Sequence, residues 1–201
     1  MTESAVPSEP FWNVPNALTL SRLVLAAVVL ALIARGWFLG AFILFLITAL
    51  TDALDGWFAR KLGQETALGR QLDPLIDKVV VAALYVELLT IPDTGLQPWM
   101  VQVVIARELL IQGLRSHLEG RGQAFGAKFA GKLKTFFQCA SIGAILLFAS
   151  LRPSNEWLLL RDLITWIAVG ATIYSGIGYA AAALRLSNRS SAGATELPRT
   201  S

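Results

Sequence analysis

FLGAFILFLITALTDALDGWFARKLGQETALGRQLDPLIDKVVVAALYVELLTIP, residues 38–92, consists of two long apolar runs joined by a short polar stretch. Asp52 and Asp55 stand near the end of the first run, and Asp73 and Asp77 near the start of the second. A helix of about 20 apolar residues matches the hydrocarbon thickness of a bilayer. The stretch therefore reads as two antiparallel membrane helices with four carboxylates gathered at their linked ends.

Working outward, comparable runs cover about 17–35, 97–116, 133–151 and 158–184; with 38–59 and 72–92 they make six expected spans. The last is long enough to tilt or to be trimmed at its ends. Composition agrees, with 55% hydrophobic and 15% charged residues, against roughly 45–50% and 25% in soluble domains. The expected fold is all-α, a polytopic integral membrane protein with six transmembrane helices forming one domain over 17–185. Residues 1–16 read as a cytoplasmic or interfacial lead-in with no removable signal, and Asn16 is placed to cap the first helix. The polar, small-residue stretch 186–201 reads as a disordered cytoplasmic tail.

Lys and Arg retained in short loops mark the cytoplasmic side. Arg60, Lys61 and Arg70 follow the second span; Arg115, Arg121, Lys128, Lys132 and Lys134 follow the fourth; Arg185, Arg189 and Arg199 follow the sixth. The opposite connections hold only Arg35, Arg152 and Arg161. Both termini and the aspartate-rich hairpin end are thus expected to face the cytoplasm of a cell membrane. Trp37, Trp99, Trp157 and Trp166 lie near the opposite side as interfacial anchors. No nucleic-acid partner is expected.

The single cysteine, Cys139, excludes an internal disulfide, and no Cys or His cluster has the spacing of a soft-metal site. Cys139 reads as a packing residue and His117 as a headgroup-facing or solvated one. On a helix, Asp52 and Asp55 share one face with Gly56, Ala59 and Arg60, while Asp73 and Asp77 are co-facial one turn apart. An aspartate at mid-bilayer costs about 2.5–3.5 kcal/mol, so four unpaired ones would cost on the order of 10 kcal/mol. Convergent oxygen ligands suit Mg²⁺, Mn²⁺ or Ca²⁺. Mg²⁺ completes its octahedron with water and substrate phosphates, which points to a phosphate-bearing substrate. Gly56 and Ala59 leave room beside the backbone, and Arg60 offers a fork for phosphate oxygens.

Asp52, Asp55, Gly56, Ala59, Arg60, Gly69, Asp73 and Asp77 match every fixed position of DxxDGxxAR, eight residues, GxxxDxxxD. In this the chain resembles the CDP-alcohol phosphatidyltransferases. The resemblance implies a six-helix membrane enzyme, usually a homodimer, that moves a phosphatidyl or related group from a CDP-linked donor to an acceptor hydroxyl. It implies further that Asp52, Asp55 and Asp73 hold two Mg²⁺ or Mn²⁺ ions. Asp77 would act as base close to those metals, and Gly56, Ala59 and Arg60 would accommodate the CDP moiety.

The acceptor is addressed by the second half. IARELLIQGLR in the fourth span brings Arg107, Glu108 and Arg115 on or near one helical face, and GAKFAGKLKT adds Lys132 and Lys134. An intramembrane ionisable pair marks function by default, and these cations suit an acceptor bearing its own phosphate. Together with NVPNALTLSR near the start, they resemble the branch of the family that uses CDP-diacylglycerol and sn-glycerol 3-phosphate. A different acceptor, such as an inositol phosphate or serine, is the alternative within the family. A cation transporter is the alternative of another class, but it favours internal repeats, and no convincing one is present.

Overall fold

The computed structural model describes the backbone of residues 14–62, 67–120, 129–151 and 155–195, and the side chains of 20–51, 75–116, 131–151 and 157–182. Among the described residues all regular structure is helical: α1 Val14–Ala34, α2 Phe38–Leu62, α3 Ala67–Leu88, α4 Pro98–Gly120, α5 Phe129–Leu151 and α6 Asn155–Thr195. Each expected span overlaps one of these helices, although the span expected to reach 92 ends at Leu88. Most helices outrun their apolar stretch at the ends read as cytoplasmic: α2 continues to Leu62, α3 begins at Ala67, α4 reaches Gly120 and α5 begins at Phe129. Hydropathy marks only the length of helix suited to hydrocarbon, whereas backbone hydrogen bonding carries a helix on into polar sequence. Helix α6 likewise continues to Thr195, into the stretch read as tail; residues 196–201 lie outside the described residues, as does the lead-in before Val14.

The chain divides into two compact units, Met1–Glu87 and Leu88–Ser201. In the first, α1 packs on α2, and the reversal between them is a glycine-terminated cap. The Trp37 N–H donates to the Leu32 carbonyl at 2.9 Å and the Gly36 N–H to Ile33 at 2.8 Å, the paired bonds of a Schellman motif. Gly36 has φ +76°, in the left-handed region that disfavours a Cβ. The Trp37 carbonyl then accepts from the Ala41 N–H at 2.9 Å, starting α2.

In the second unit, α6 packs along both α4 and α5. The interior of this unit sets polar side chains among apolar ones such as Ile142, Ile145, Leu146 and Val169. Gln138, Ser141, Thr165, Thr172 and Ser175 are buried, while Leu110, Leu159, Leu163, Ile173 and Ile177 are exposed. The polar groups are satisfied between helices: Gln138 Nε2 donates to Thr172 Oγ1 at 3.1 Å, and the Ser141 and Thr165 hydroxyls meet at 3.1 Å. Thr165 and Thr172 also donate to the carbonyls of Arg161 and Ala168 one turn back. An apolar exterior around hydrogen-bonded polar seams is the arrangement a hydrocarbon solvent favours. The segments Gly131–Leu151 and Trp157–Ala182 are long and apolar enough to cross a membrane.

Arg161, read from sequence only as a sparse charge on the opposite side, proves to be a clamp. Its Nη1 donates to the Asp93 carbonyl, and its Nε and Nη2 reach Asp162 Oδ1 at 2.9 and 2.7 Å. It thereby fastens the connection between α3 and α4, where Asp93 has φ +56°, to the start of α6. Helix α4 opens beyond that connection with Pro98 in the first turn, where a missing N–H is harmless. Trp99 and Trp166 pack at the same end, ring centres 5.6 Å apart.

A Cβ at Gly36 would meet nothing within 4 Å, so Gly36→Ala isolates the backbone term. The substitution is expected to destabilise by about 1–2 kcal/mol, with Gly36→Asn milder. Thermal unfolding in detergent checks this; an unchanged midpoint for Gly36→Ala would remove the left-handed cap as a constraint.

Candidate active site

Four expected metal ligands occupy two helices of the first unit. Asp52 and Asp55 fall on α2, Asp73 and Asp77 on α3. Helical backbone at those positions keeps each pair a turn apart on one face. The side chains of Asp52, Asp55, Gly56, Ala59, Arg60, Gly69 and Asp73 lie outside the described residues. Among the described residues no group of three or more His, Cys, Asp or Glu could share a metal ion. The donor set itself, carboxylates without thiolate or imidazole, fits a hard divalent cation.

Asp77 is described, and it is about half exposed. Its Oδ1 accepts a hydrogen bond from Arg22 Nη1 of α1 at 3.2 Å. A carboxylate both accessible and held by a guanidinium can be oriented while still meeting a substrate. Arg22 was not singled out in the sequence, although a lone cation within the first apolar span was signal enough.

The second unit brings together the cations of α4 and α5. Glu108 Oε1 accepts from Arg107 Nη1 at 3.1 Å and also from Lys134 Nζ. The three side chains are 10%, 4% and 6% exposed for Arg107, Glu108 and Lys134 respectively. Arg107 is held further from α6: its Nη2 donates to Ser175 Oγ at 3.0 Å, and its guanidinium carbon lies 5.5 Å from the centre of the Tyr179 ring. Gly176 lets that arm pass, because a Cβ there would stand 3.1 Å from Arg107 Cγ. Arg115 is part-buried and Lys132 exposed. His117 lies outside the residues whose side chains are described.

Two cations thus share one buried carboxylate oxygen. Arg107 Nε is buried and makes no hydrogen bond among the described residues. Buried donors are rarely left that way without reason. Lys132 and Lys134 also stand in the opening turns of α5, which has no acidic residue in its first turn, although a helix N-terminus disfavours cations. Two buried cations, an orphan donor and a cationic helix start together suit an anionic oxygen ligand such as a phosphate. Ser175 and Tyr179 were missed in the sequence because the long apolar α6 gives no cue to which of its faces turns inward.

Comparison with known proteins is consistent with this chemistry. The sequence model of the family described as CDP-alcohol phosphatidyltransferase matches residues 12–174. A Bacillus subtilis protein named CDP-diacylglycerol–glycerol-3-phosphate 3-phosphatidyltransferase is 36% identical over 184 residues, 84% of this chain and 93% of its own. A Rickettsia bellii protein of the same name is 34% identical over 174 residues, 83% of this chain and 93% of its own. A Mycobacterium tuberculosis protein named probable phosphatidylglycerophosphate synthase is 35% identical over 181 residues, 86% and 82% of the two chains.

Replacing Arg22 by Gln removes the cation that orients Asp77. Turnover should fall by roughly two- to fivefold, the size of a partly exposed ion pair, with Arg22→Lys retaining more activity. Equal activity in all three proteins would dismiss the Arg22–Asp77 pair as incidental.

Proposed function

The chain belongs to the CDP-alcohol phosphatidyltransferase family, and we propose that it transfers the phosphatidyl group of CDP-diacylglycerol to sn-glycerol 3-phosphate, releasing CMP and forming phosphatidylglycerophosphate. The single observation that carries the acceptor is the buried cluster in which Arg107 and Lys134 share the Glu108 carboxylate, two cations suited to an acceptor that bears its own phosphate. The names printed for the relatives support the same substrate pair.

In this reading the hydroxyl of glycerol 3-phosphate attacks the phosphorus of the phosphatidyl group. The new P–O bond forms as the bond to the CMP oxygen breaks. Asp77 receives the hydroxyl proton, and Arg22 keeps its carboxylate in place. Gly56 and Ala59 leave room for the CDP moiety, and Arg60 donates to its phosphate oxygens. Arg107, Arg115, Lys132 and Lys134 hold the acceptor phosphate. Asp52, Asp55 and Asp73, with Asp77 close by, would hold two Mg²⁺ or Mn²⁺ ions, which when bound supply charge neutralisation on the pyrophosphate.

The proposal extends to six membrane-spanning helices with both termini in the cytoplasm of a cell membrane, and to a homodimer. Support for the orientation comes from the basic residues, which concentrate at the linked ends of α2 and α3 and of α4 and α5. Support for the membrane comes from the exposed leucine and isoleucine side chains on the helices of both units. A donor whose acyl chains stay in the bilayer while CMP leaves to water needs such a setting.

Incubating the purified protein with CDP-diacylglycerol and, in turn, glycerol 3-phosphate, inositol phosphate or serine tests the assignment. CMP release with glycerol 3-phosphate is expected; release with another alcohol instead would move the protein to a different branch. Asp77→Asn should abolish transfer while retaining CDP-lipid binding, and near-normal turnover would remove Asp77 as base. Lys134→Ala should raise the KM for glycerol 3-phosphate much more than that for CDP-diacylglycerol; equal effects would argue against a dedicated phosphate pocket.

A further inference from the structure

Glu108 carries a negative charge into a place where an anionic substrate is proposed to bind, which on electrostatic grounds alone is the wrong sign. Its geometry gives the reason. One oxygen, Oε1, serves both Arg107 and Lys134, and those cations come from different helices, α4 and α5. Without a carboxylate between them, two buried like charges would repel.

Arg107 is restrained on its remaining sides by Ser175 and the Tyr179 ring, both from α6. Tyr179 in turn sits against Gly131, where a Cβ would stand 2.8 Å from its hydroxyl oxygen. The guanidinium is thus fixed with its Nη atoms occupied by Glu108 and Ser175, and Nε is the donor without a protein partner among the described residues. Side chains so restrained lose little entropy when a ligand arrives.

We propose that Glu108 is a positioning residue for acceptor binding. Its carboxylate clamps Arg107 and Lys134 at one fixed separation, so that the two cations are presented together to a phosphate. This rests on the reading of Arg107 and Lys134 as the acceptor-phosphate site. Glu108 need not touch the substrate; it acts through the two cations.

The test is Glu108→Gln in the full-length protein, which keeps shape and one acceptor oxygen but removes the charge. The KM for glycerol 3-phosphate should rise about tenfold or more, in line with the loss of hydrogen bonds to a charged group. The KM for CDP-diacylglycerol should change less than about twofold, a split that general destabilisation would not produce. If Glu108→Gln does not accumulate as folded protein, Glu108→Asp is read in its place: it keeps the charge and withdraws the oxygen, and the same selective rise is expected. An unchanged acceptor KM in the variant read, while Lys134→Ala raises it, overturns the role of Glu108 and leaves the phosphate site standing. If neither variant changes it, the phosphate site itself falls.

Discussion

The carboxylate of Glu108, shared between Arg107 and Lys134, is the contact on which the second unit turns. It lies in a bundle whose outward side chains are leucine, isoleucine and tryptophan. In such surroundings the carboxylate offsets the repulsion between two buried cations. Once the three charges are fixed, other features of the unit follow from the need to place them. Ser175 and Tyr179 restrain Arg107 from α6, Gly131 and Gly176 make room, and the Gln138–Thr172 and Ser141–Thr165 bonds hold α5 against α6 in the register the cluster requires.

The same solvent argument explains why hydrogen-bonded pairs stand among the apolar residues of those seams. Between helices in hydrocarbon there is little hydrophobic drive, so packing and polar contacts set the alignment. Each such bond contributes modestly, about 0.6 kcal/mol on average in membrane proteins. Their value lies in direction: a slip of one residue between α5 and α6 would part both pairs. At the far end of α6, Arg161 closes the connection between α3 and α4, so the helix is anchored near both of its buried ends.

Much of the fold was legible because apolar length carries it. Each run in the sequence fell on a helix, and the errors lie at the ends, where α3 begins at Ala67 and α6 reaches Thr195. Polar sequence can continue a helix that hydropathy does not register. The aspartate pairs drew notice for a different reason: carboxylates are costly in an apolar segment. Glu108 stood out on the same ground, and its contact with Arg107 was anticipated. What the sequence could not reveal was that Lys134 shares the same oxygen, since that depends on how α5 meets α4. Arg22 was overlooked because its partner, Asp77, lies 55 positions away.

A cluster that exists to hold phosphate must distinguish glycerol 3-phosphate from glycerol, which offers the same hydroxyl chemistry without the anion. The most direct measurement is the ratio of kcat/KM for the two alcohols with CDP-diacylglycerol as donor. A site built around buried cations should favour glycerol 3-phosphate by at least about a hundredfold, because glycerol leaves the charged donors unanswered. Comparable use of both alcohols would contradict the account, since the buried charges of α4 and α5 would then have no part in choosing the acceptor.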